Sequence, residues 1–263
     1  MNHGLNNSFL YSACRIISKF SNKVDTIIFT GTGFFVEKDA NPYLITNRHM
    51  VDIQYMDYTN QYTGFKLIEF TIDNRRRDHV TKLPTDIVDI KIANINEFVF
   101  SEEYLNDITC LKNIKTFVGD INVEFSIPFS LIATEDKINN QLSVCDFVAF
   151  PGFPDWYDKR NNIPILRTGA LASDPRFNYS NTTDFKGNCI AFEAFSFGGS
   201  SGSPVFAIQK GFKVGLGLQV PDNFYREILL IGINAGHFIT TEGHHSGISY
   251  LYKSSEILKL INK

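Results

Sequence analysis

A turn of very small residues, Gly198-Gly199-Ser200-Ser201-Gly202-Ser203-Pro204, constrains this chain more than any other feature. Apolar residues precede the turn and the apolar run Val205–Ile208 follows it, so the turn joins two strands. Glycine adopts backbone conformations that other residues avoid, which lets such a turn bend tightly. Alone, the pattern would fit a plain hairpin, and the remainder of the chain decides whether the hydroxyl of Ser201 has a chemical role.

Two strand ends upstream supply the groups that a reactive serine needs. The apolar run Tyr43–Thr46 leads into Asn-Arg-His with His49 at its end, and Asp86 opens the strand-like run Asp86–Ile92. A serine hydroxyl is a weak nucleophile that needs a base, and histidine titrates near neutral pH. A carboxylate on the other ring nitrogen orients that histidine. We therefore interpret Ser201 as the nucleophile, His49 as general base and acid, and Asp86 as the orienting acid.

The acid has an alternative in the same strand. Asp89, like Asp86, is followed by isoleucine. In the strand pattern of the superfamily that the chain resembles, as described below, Asp86 in the role puts Lys91 at an exposed position, whereas Asp89 would put it at an inward one, where an unpaired charge is costly. We favour Asp86 for this reason and retain Asp89 as the alternative.

Segments along nearly the whole chain resemble one superfamily, the trypsin/chymotrypsin-fold serine peptidases. The resemblance is closest to bacterial trypsin-like peptidases related to the Deg-type (high-temperature-requirement) proteases. It implies an all-β fold of two six-stranded antiparallel Greek-key barrels with a C-terminal helix, divided into residues 1–110, with His and Asp, and residues 111–263, with the nucleophile, the specificity pocket and the helix. The segments that carry the resemblance are Thr30–Val36, Leu44–His49, Phe147–Pro154, Pro164–Ser173, Gly199–Pro204 and Leu230–Gly236.

The resemblance also implies an activity, a serine endopeptidase that forms an acyl-enzyme intermediate. The backbone N–H groups of Gly199 and Ser201 would form the oxyanion hole. No aspartate stands at the base of the implied pocket, so we expect a small or apolar side chain before the scissile bond. The substrate-binding residues that the resemblance implies are Phe195, Ser196, Asn234, Ala235, Gly236 and His237.

One position departs from the secreted trypsins. They carry Asp before the nucleophile, which pairs with a new N-terminus after cleavage, whereas this chain has the uncharged Ser200. We therefore expect activity without trypsin-type zymogen cleavage. An alternative interpretation is a catalytically silent or latent protease-fold module that binds protein partners, which a malformed oxyanion turn would favour.

Short apolar runs separated by Gly, Pro, Asn and Asp predict many strands, and two segments have helical spacing, Asn7–Lys19 and Glu256–Asn262. Ser254 is placed to cap the second helix. The polar segment Glu97–Asn122 is expected to cross between the barrels. The predicted strands are Thr26–Val36, Tyr43–Thr46, Phe65–Ile72, Asp86–Ile95, Asp146–Phe150, Ile165–Ala172, Cys189–Phe195, Pro204–Ile208, Phe212–Val220 and Ile228–Asn234.

Composition limits the partners that we expect. The chain has 263 residues, 43% of them hydrophobic, enough for a sizeable core, and its net charge of -3 provides no basic field for nucleic acid. We expect no membrane span, no metal site and no cofactor, and a protein or peptide as substrate. The start of the sequence has no signal-peptide pattern, so we expect a cytoplasmic protein. The chain leaves little room for the PDZ-type domain that Deg-type proteases often carry, so we expect regulation by a protein partner, an oligomer or a separate polypeptide.

Overall fold

A computed structural model describes residues 5–119, 121–211 and 225–263. Its first sheet runs in the order β5-β4-β1-β2-β3-β7-β6, with antiparallel neighbours, and β8 adds to β2 in parallel. The strands of this sheet are β1 (Ala13–Ser21), β2 (Thr26–Lys38), β3 (Asn41–Thr46), β4 (Lys66–Arg77), β5 (Pro84–Lys91), β6 (Val99–Phe100), β7 (Thr109–Leu111) and β8 (Ile127–Pro128).

The second half is a closed barrel in the order β10-β11-β14-β13-β12-β9. Its strands are β9 (Phe147–Gly152), β10 (Ile165–Leu171), β11 (Cys189–Glu193), β12 (Pro204–Ala207), β13 (Leu229–Ile239) and β14 (His245–Lys253). Two α-helices, α1 (Glu135–Gln141) and α2 (Ser254–Asn262), and 3-10 helices at Asn7–Phe9, Arg48–Met50 and Phe129–Leu131 complete the described structure. The predicted fold class, an all-β double barrel with a C-terminal helix, is confirmed.

The expected helix over Asn7–Lys19 is wrong. Only Asn7–Phe9 is helical, as a 3-10 turn, and the rest of the segment continues into β1. Alternate residues of β1 are buried, because β1 lies between β2 and β4 and presents one face to the core. The strand period of two therefore prevails over the helical spacing.

The C-terminal helix is present and packs on the core. Ile257, Leu260 and Ile261 of α2 are buried. Ser254 is the first residue of α2 and does not cap it; its hydroxyl instead donates to the carbonyl of Ala133 at 2.7 Å. No described helix is long and apolar enough to cross a membrane.

The two halves share a core. One hydrophobic cluster combines Phe34 and Ile45 of the first sheet with Phe206 and Leu230 of the barrel, all fully buried. Burial of these side chains against one another stabilises the contact between the halves, since each fully buried large apolar side chain contributes about 1.5–3 kcal/mol. The boundary between the two halves, which we call the seam, is therefore held in place by packing and can position the side chains of a site.

The expected crossing segment Glu97–Asn122 contains strands β6 and β7, both of which belong to the first sheet. The short β8, at Ile127–Pro128, also joins that sheet. The division of the chain at residue 110 stays a prediction. The predicted strand Phe212–Val220 lies outside the described residues.

Candidate active site

Thr32 of β2 holds the small-residue turn against the first sheet. This residue is fully buried. Its backbone N–H donates to the carbonyl of Ser201 at 2.9 Å, and its hydroxyl donates to the carbonyl of Gly199 at 2.7 Å. The same hydroxyl oxygen accepts from the N–H of Phe153 at 3.0 Å. One side chain thus ties the turn and the barrel strand β9 to the neighbouring sheet.

The turn also touches the strand that leads to the histidine. Gly202 has φ +87°, and a Cβ there would lie 1.9 Å from the carbonyl oxygen of Thr32 and 2.8 Å from Oγ1 of Thr46. The hydroxyl of Thr46 donates to the carbonyl of Thr32 at 2.9 Å. Because Thr46 ends β3 three residues before His49, this close approach brings the histidine and Ser201 to one seam.

Asp107 holds His49 through both of its carboxylate oxygens. Oδ1 accepts from the backbone N–H of His49 at 2.9 Å, and Oδ2 lies 2.5 Å from its Nδ1. This arrangement places a proton on Nδ1 and leaves Nε2 as the nitrogen that can accept one. In the part of the chain that the structure describes, no hydrogen bond joins the ring to the hydroxyl of Ser201. Such contacts are often long in the absence of substrate.

Strand pairing explains why Asp107 reaches His49. Strands β3 and β7 pair with Thr46 opposite Thr109. The antiparallel register places the residue two positions before Thr109 beside the residues that follow Thr46. Asn47 reinforces the approach, because its side-chain amide donates to the carbonyl of Asp107 at 2.6 Å.

The prediction that Asp86 orients His49 is wrong in this geometry. Asp86 is exposed on β5, an end strand of the first sheet, and β4, β1 and β2 separate β5 from β3. The alternative Asp89 lies on the same strand, opposite Asp73. Burial and the charge of Asp73 raise the pKa of Asp89. Lys91 is exposed, as the prediction with Asp86 expected.

The sequence also holds a signal for the aspartate that contacts His49. The stretch Asp107–Lys112 reads Asp-Ile-Thr-Cys-Leu-Lys, which repeats the acid-isoleucine spacing that singled out Asp86. It lies within the polar segment that was expected to cross between the barrels. Its strand β7, Thr109–Leu111, is too short to show a clear period, so the pattern was overlooked.

The environment of His49 raises the pKa of its imidazole ring. Burial alone would lower the pKa of His49, but the negative charge of Asp107 and its hydrogen bond outweigh burial, so the pKa is raised above its ordinary value of 6.5. The carboxylate therefore stabilises the imidazolium that would form when the ring takes a proton.

Arg48 anchors the short helix that carries His49. Its guanidinium donates to Asp52 at 2.9 Å. The same group lies over the rings of Tyr55, Phe100 and Tyr104 at 4.6, 4.5 and 5.1 Å. These contacts combine a cation–π arrangement with an ion pair and fix the backbone on one side of the histidine.

The turn before Ser201 leaves two N–H donors free. Gly199 has φ +85°, and a Cβ there would lie 2.2 Å from the carbonyl oxygen of Phe153, so only glycine fits. The N–H of Ser200 donates back to Phe197 at 2.9 Å, which closes the turn. The N–H groups of Gly199 and Ser201 have no hydrogen-bond acceptor among the described residues. The turn therefore has the donors that the oxyanion-hole prediction requires.

Asn234 was expected to line the wall of the pocket, but the structure places it beneath the turn. Its buried side-chain amide donates to the carbonyl of Ser200 at 3.0 Å, and its own carbonyl accepts from Gly202 at 3.0 Å. Ser200 is 1% exposed. Hydrogen bonds between uncharged groups thus hold the turn at Ser200, the position at which the sequence departs from the secreted trypsins.

The predicted pocket residues Phe195, Ser196 and His237 surround His245, a residue without a predicted role in the pocket. The ring of His245 lies 4.8 Å from that of Phe195 and 4.2 Å from that of His237. The N–H of Ser196 donates to Nε2 of His245 at 3.2 Å. Burial lowers the pKa of both His237 and His245 below the ordinary value. Both rings are therefore neutral at pH 7.

The other two predicted pocket residues follow Asn234 on β13. Ala235 is buried, and Gly236 lies beside the ring of Tyr250, whose hydroxyl oxygen would be 3.3 Å from an added Cβ. Pairing with β12 covers β13 from Leu229 to Ile233 only. No described strand of the barrel pairs with that edge of β13 beyond Ile233.

Metal-ligating side chains do not cluster in residues 5–119, 121–211 and 225–263, where no group of three or more His, Cys, Asp or Glu could hold an ion. The cysteines described are free, and Cys14, Cys110 and Cys189 are buried.

Comparison with known proteins supports the fold. No protein-family model matches this chain, and no curated protein matches it in sequence. The chain is similar to the crystal structure of the thermostable serine protease AL20 from an extremophilic microorganism. The two share 12% sequence identity with a TM-score of 0.54, over 97% of each chain. The chain therefore has the fold of a serine protease.

Proposed function

We propose that this protein is a serine endopeptidase in which Ser201, His49 and Asp107 form the catalytic triad. The observation that carries the proposal is the pair of hydrogen bonds from His49 to Asp107, at the same seam that holds the turn of Ser201. Asp107 replaces Asp86 in the role inferred from sequence.

The geometry supports a defined sequence of steps. The hydroxyl of Ser201 attacks the peptide carbonyl while Nε2 of His49 takes its proton, and Asp107 stabilises the resulting imidazolium. The free N–H groups of Gly199 and Ser201 bind the developing oxyanion. His49 then returns the proton to the leaving amine, and water, activated by His49, hydrolyses the acyl-enzyme.

The proposal includes activity without trypsin-type cleavage. Gly199 already has its positive φ and its free N–H in the uncut chain. Asn234 supports the turn through Ser200 without any contribution from a newly formed N-terminus. The relation to Deg-type peptidases belongs to the proposal on the sequence motifs alone.

The test is active-site labelling of the full-length protein with a fluorophosphonate, read by intact mass. We expect one adduct on the wild type and none on Ser201→Ala, because the probe forms its phosphorus–oxygen bond to the hydroxyl of Ser201 with loss of fluoride, and alanine has no such oxygen. Ser203→Ala is the matched control, since its buried hydroxyl has no hydrogen-bond partner among the described residues. Ser203→Ala should be labelled like the wild type.

A second candidate is a latent module that binds protein segments. The missing hydrogen bond between Ser201 and His49 favours it. A folded wild type that takes up no label over hours at pH 8 would contradict the peptidase and support this candidate.

A further inference from the structure

A cavity of about 300 Å³ lies beside the segment that carries Asp107, since Leu105 is among its lining residues. Its walls come from both halves of the protein, with Met56, Tyr58 and Leu105 on the side of His49 and Asp107, and the barrel opposite. We call it the aromatic cavity, because rings dominate its lining: Tyr58, Tyr179, Phe185, Phe238, Tyr250 and Tyr252.

Strand β13 carries residues of both the candidate active site and the aromatic cavity. Asn234 of this strand contacts the turn of Ser201, and Phe238 of the same strand lines the cavity. Residues in a strand advance about 3.3 Å each, so the two ends are roughly 13 Å apart. An extended peptide has the same rise, and a side chain that enters the cavity would therefore stand about three or four residues from the scissile bond.

The rings form a connected wall. The ring centroid of Phe238 lies 5.1 Å from that of Tyr250 and 5.7 Å from that of Tyr179. The ring centroids of Tyr250 and Tyr252 are 6.1 Å apart. Edge and offset contacts of this kind accept another aromatic ring favourably. The volume suits a large side chain, since it is at the lower end of the range for ligand pockets, roughly 300–1,000 Å³.

The charges argue against a basic occupant. Lys186 is the charged residue among the described lining, and no carboxylate faces the cavity there. A lysine or arginine side chain would lose water without gaining a counter-ion, which is unfavourable. The cavity thus discriminates between apolar and basic side chains of similar length.

We infer that the aromatic cavity selects peptide substrates that carry a large apolar side chain, preferably an aromatic one, about three or four residues from the bond that is cut. This inference rests on the proposed function. It makes a site remote from the scissile bond a main determinant of specificity, beside the pocket at Phe195 and His245.

The experiment uses internally quenched peptides in which Phe, Ala or Lys occupies in turn each of the four positions on either side of the scissile bond. Enzyme concentration is set by fluorophosphonate titration, so that only competent molecules are counted. We expect kcat/KM to be at least about tenfold higher for Phe than for Ala at one position three or four residues from the bond, and lowest for Lys. Equal values for Phe and Ala at every such position would overturn the inference.

Phe238→Ala tests the cavity itself. The ratio of kcat/KM between the Phe and Ala peptides should collapse toward one in this variant. Phe117→Ala is the matched control, because Phe117 is an exposed ring outside the cavity, and it should retain the wild-type ratio. A full ratio in Phe238→Ala would also contradict the inference.

The experiment distinguishes an error in the proposed function from an error in the inference about the aromatic cavity. If the wild type takes up no fluorophosphonate, binding of the same fluorescent Phe, Ala and Lys peptides is measured by anisotropy. Tighter binding of the Phe peptide, lost in Phe238→Ala, would support the cavity in a protein that does not cleave. No preference among the peptides would overturn the cavity inference as well.

Discussion

The two halves of the protein build their parts of the site in different ways. The closed barrel presents Ser201 on a turn whose residues are consecutive in sequence, Gly198–Pro204. The first sheet, by contrast, assembles His49 and Asp107 from segments 58 residues apart. The turn depends on local backbone conformation, whereas the His–Asp pair depends on how β3 and β7 pair. A local turn can therefore be predicted from the sequence, whereas a side-chain pair that forms across a sheet cannot.

The largest effect should come from breaking the pair in the first sheet. Asp107→Asn keeps the size of the side chain but removes the charge that stabilises the imidazolium and can favour the wrong tautomer of His49. We expect kcat for peptide cleavage to fall about 10⁴-fold. Asp86→Asn is the matched control and should keep wild-type activity, because Asp86 is exposed on the far strand β5. A large loss in Asp86→Asn, with Asp107→Asn active, would reverse the assignment.

The second largest effect should come from removing the hydroxyl of Thr32, which joins the two halves through hydrogen bonds. Thr32→Val keeps the shape of the side chain but removes the hydroxyl that bonds Gly199 and Phe153. The oxyanion turn loses its position, and small misplacements can cost about 10²-fold in rate. The rate constant of fluorophosphonate labelling is the measurement. Thr30→Val, at an exposed position of the same strand, should label at the wild-type rate.

A smaller effect should follow from the loop between β9 and β10. Arg75 of β4 donates to the carbonyls of Asn161, at 2.5 Å, and Asn162. The ring of Trp156, in the same loop, packs 4.4 Å from that of Phe197, which directly precedes the turn of Ser201. Arg75→Ala should release this loop and slow labelling about threefold to tenfold.

Arg77→Ala is the control for Arg75, because Arg77 on the same strand faces Glu124 at 3.6 Å rather than the loop. Thermal unfolding of both variants separates a general loss of stability from a change at the turn. Equal labelling rates in the two variants would show that the loop contact does not reach the turn.

The smallest and most specific effect is a shift in pH dependence. His49 must be neutral to act as a base, so activity should rise with pH through its raised pKa, with a midpoint above 6.5. In Asp107→Asn burial remains without the opposing charge, and the midpoint of the residual activity should move down. A profile of kcat/KM against pH for both proteins measures this shift, and an unchanged midpoint would contradict the assigned partner.

The same pair also affects stability with a defined sign. The folded pKa of His49 lies above its unfolded value, so protonated His49 stabilises the fold. This contribution is fully present below about pH 6.5 and is lost as the pH rises through the raised pKa. Activity and this stability term therefore change in opposite directions with pH.

Short stretches of sequence predict the C-terminal helix over Glu256–Asn262 and the small-residue turn around Ser201, because both depend on the apolar period and glycine content of neighbouring residues. The double-barrel fold class follows from the resemblance of longer segments to a known superfamily. The contacts of Asp107, rather than Asp86, with His49 and of Asn234 with the underside of the turn become visible in the folded chain. Both follow from which strands lie side by side. Strand order is set by packing between residues far apart in the chain, and two aspartates with the same local pattern can be told apart only there.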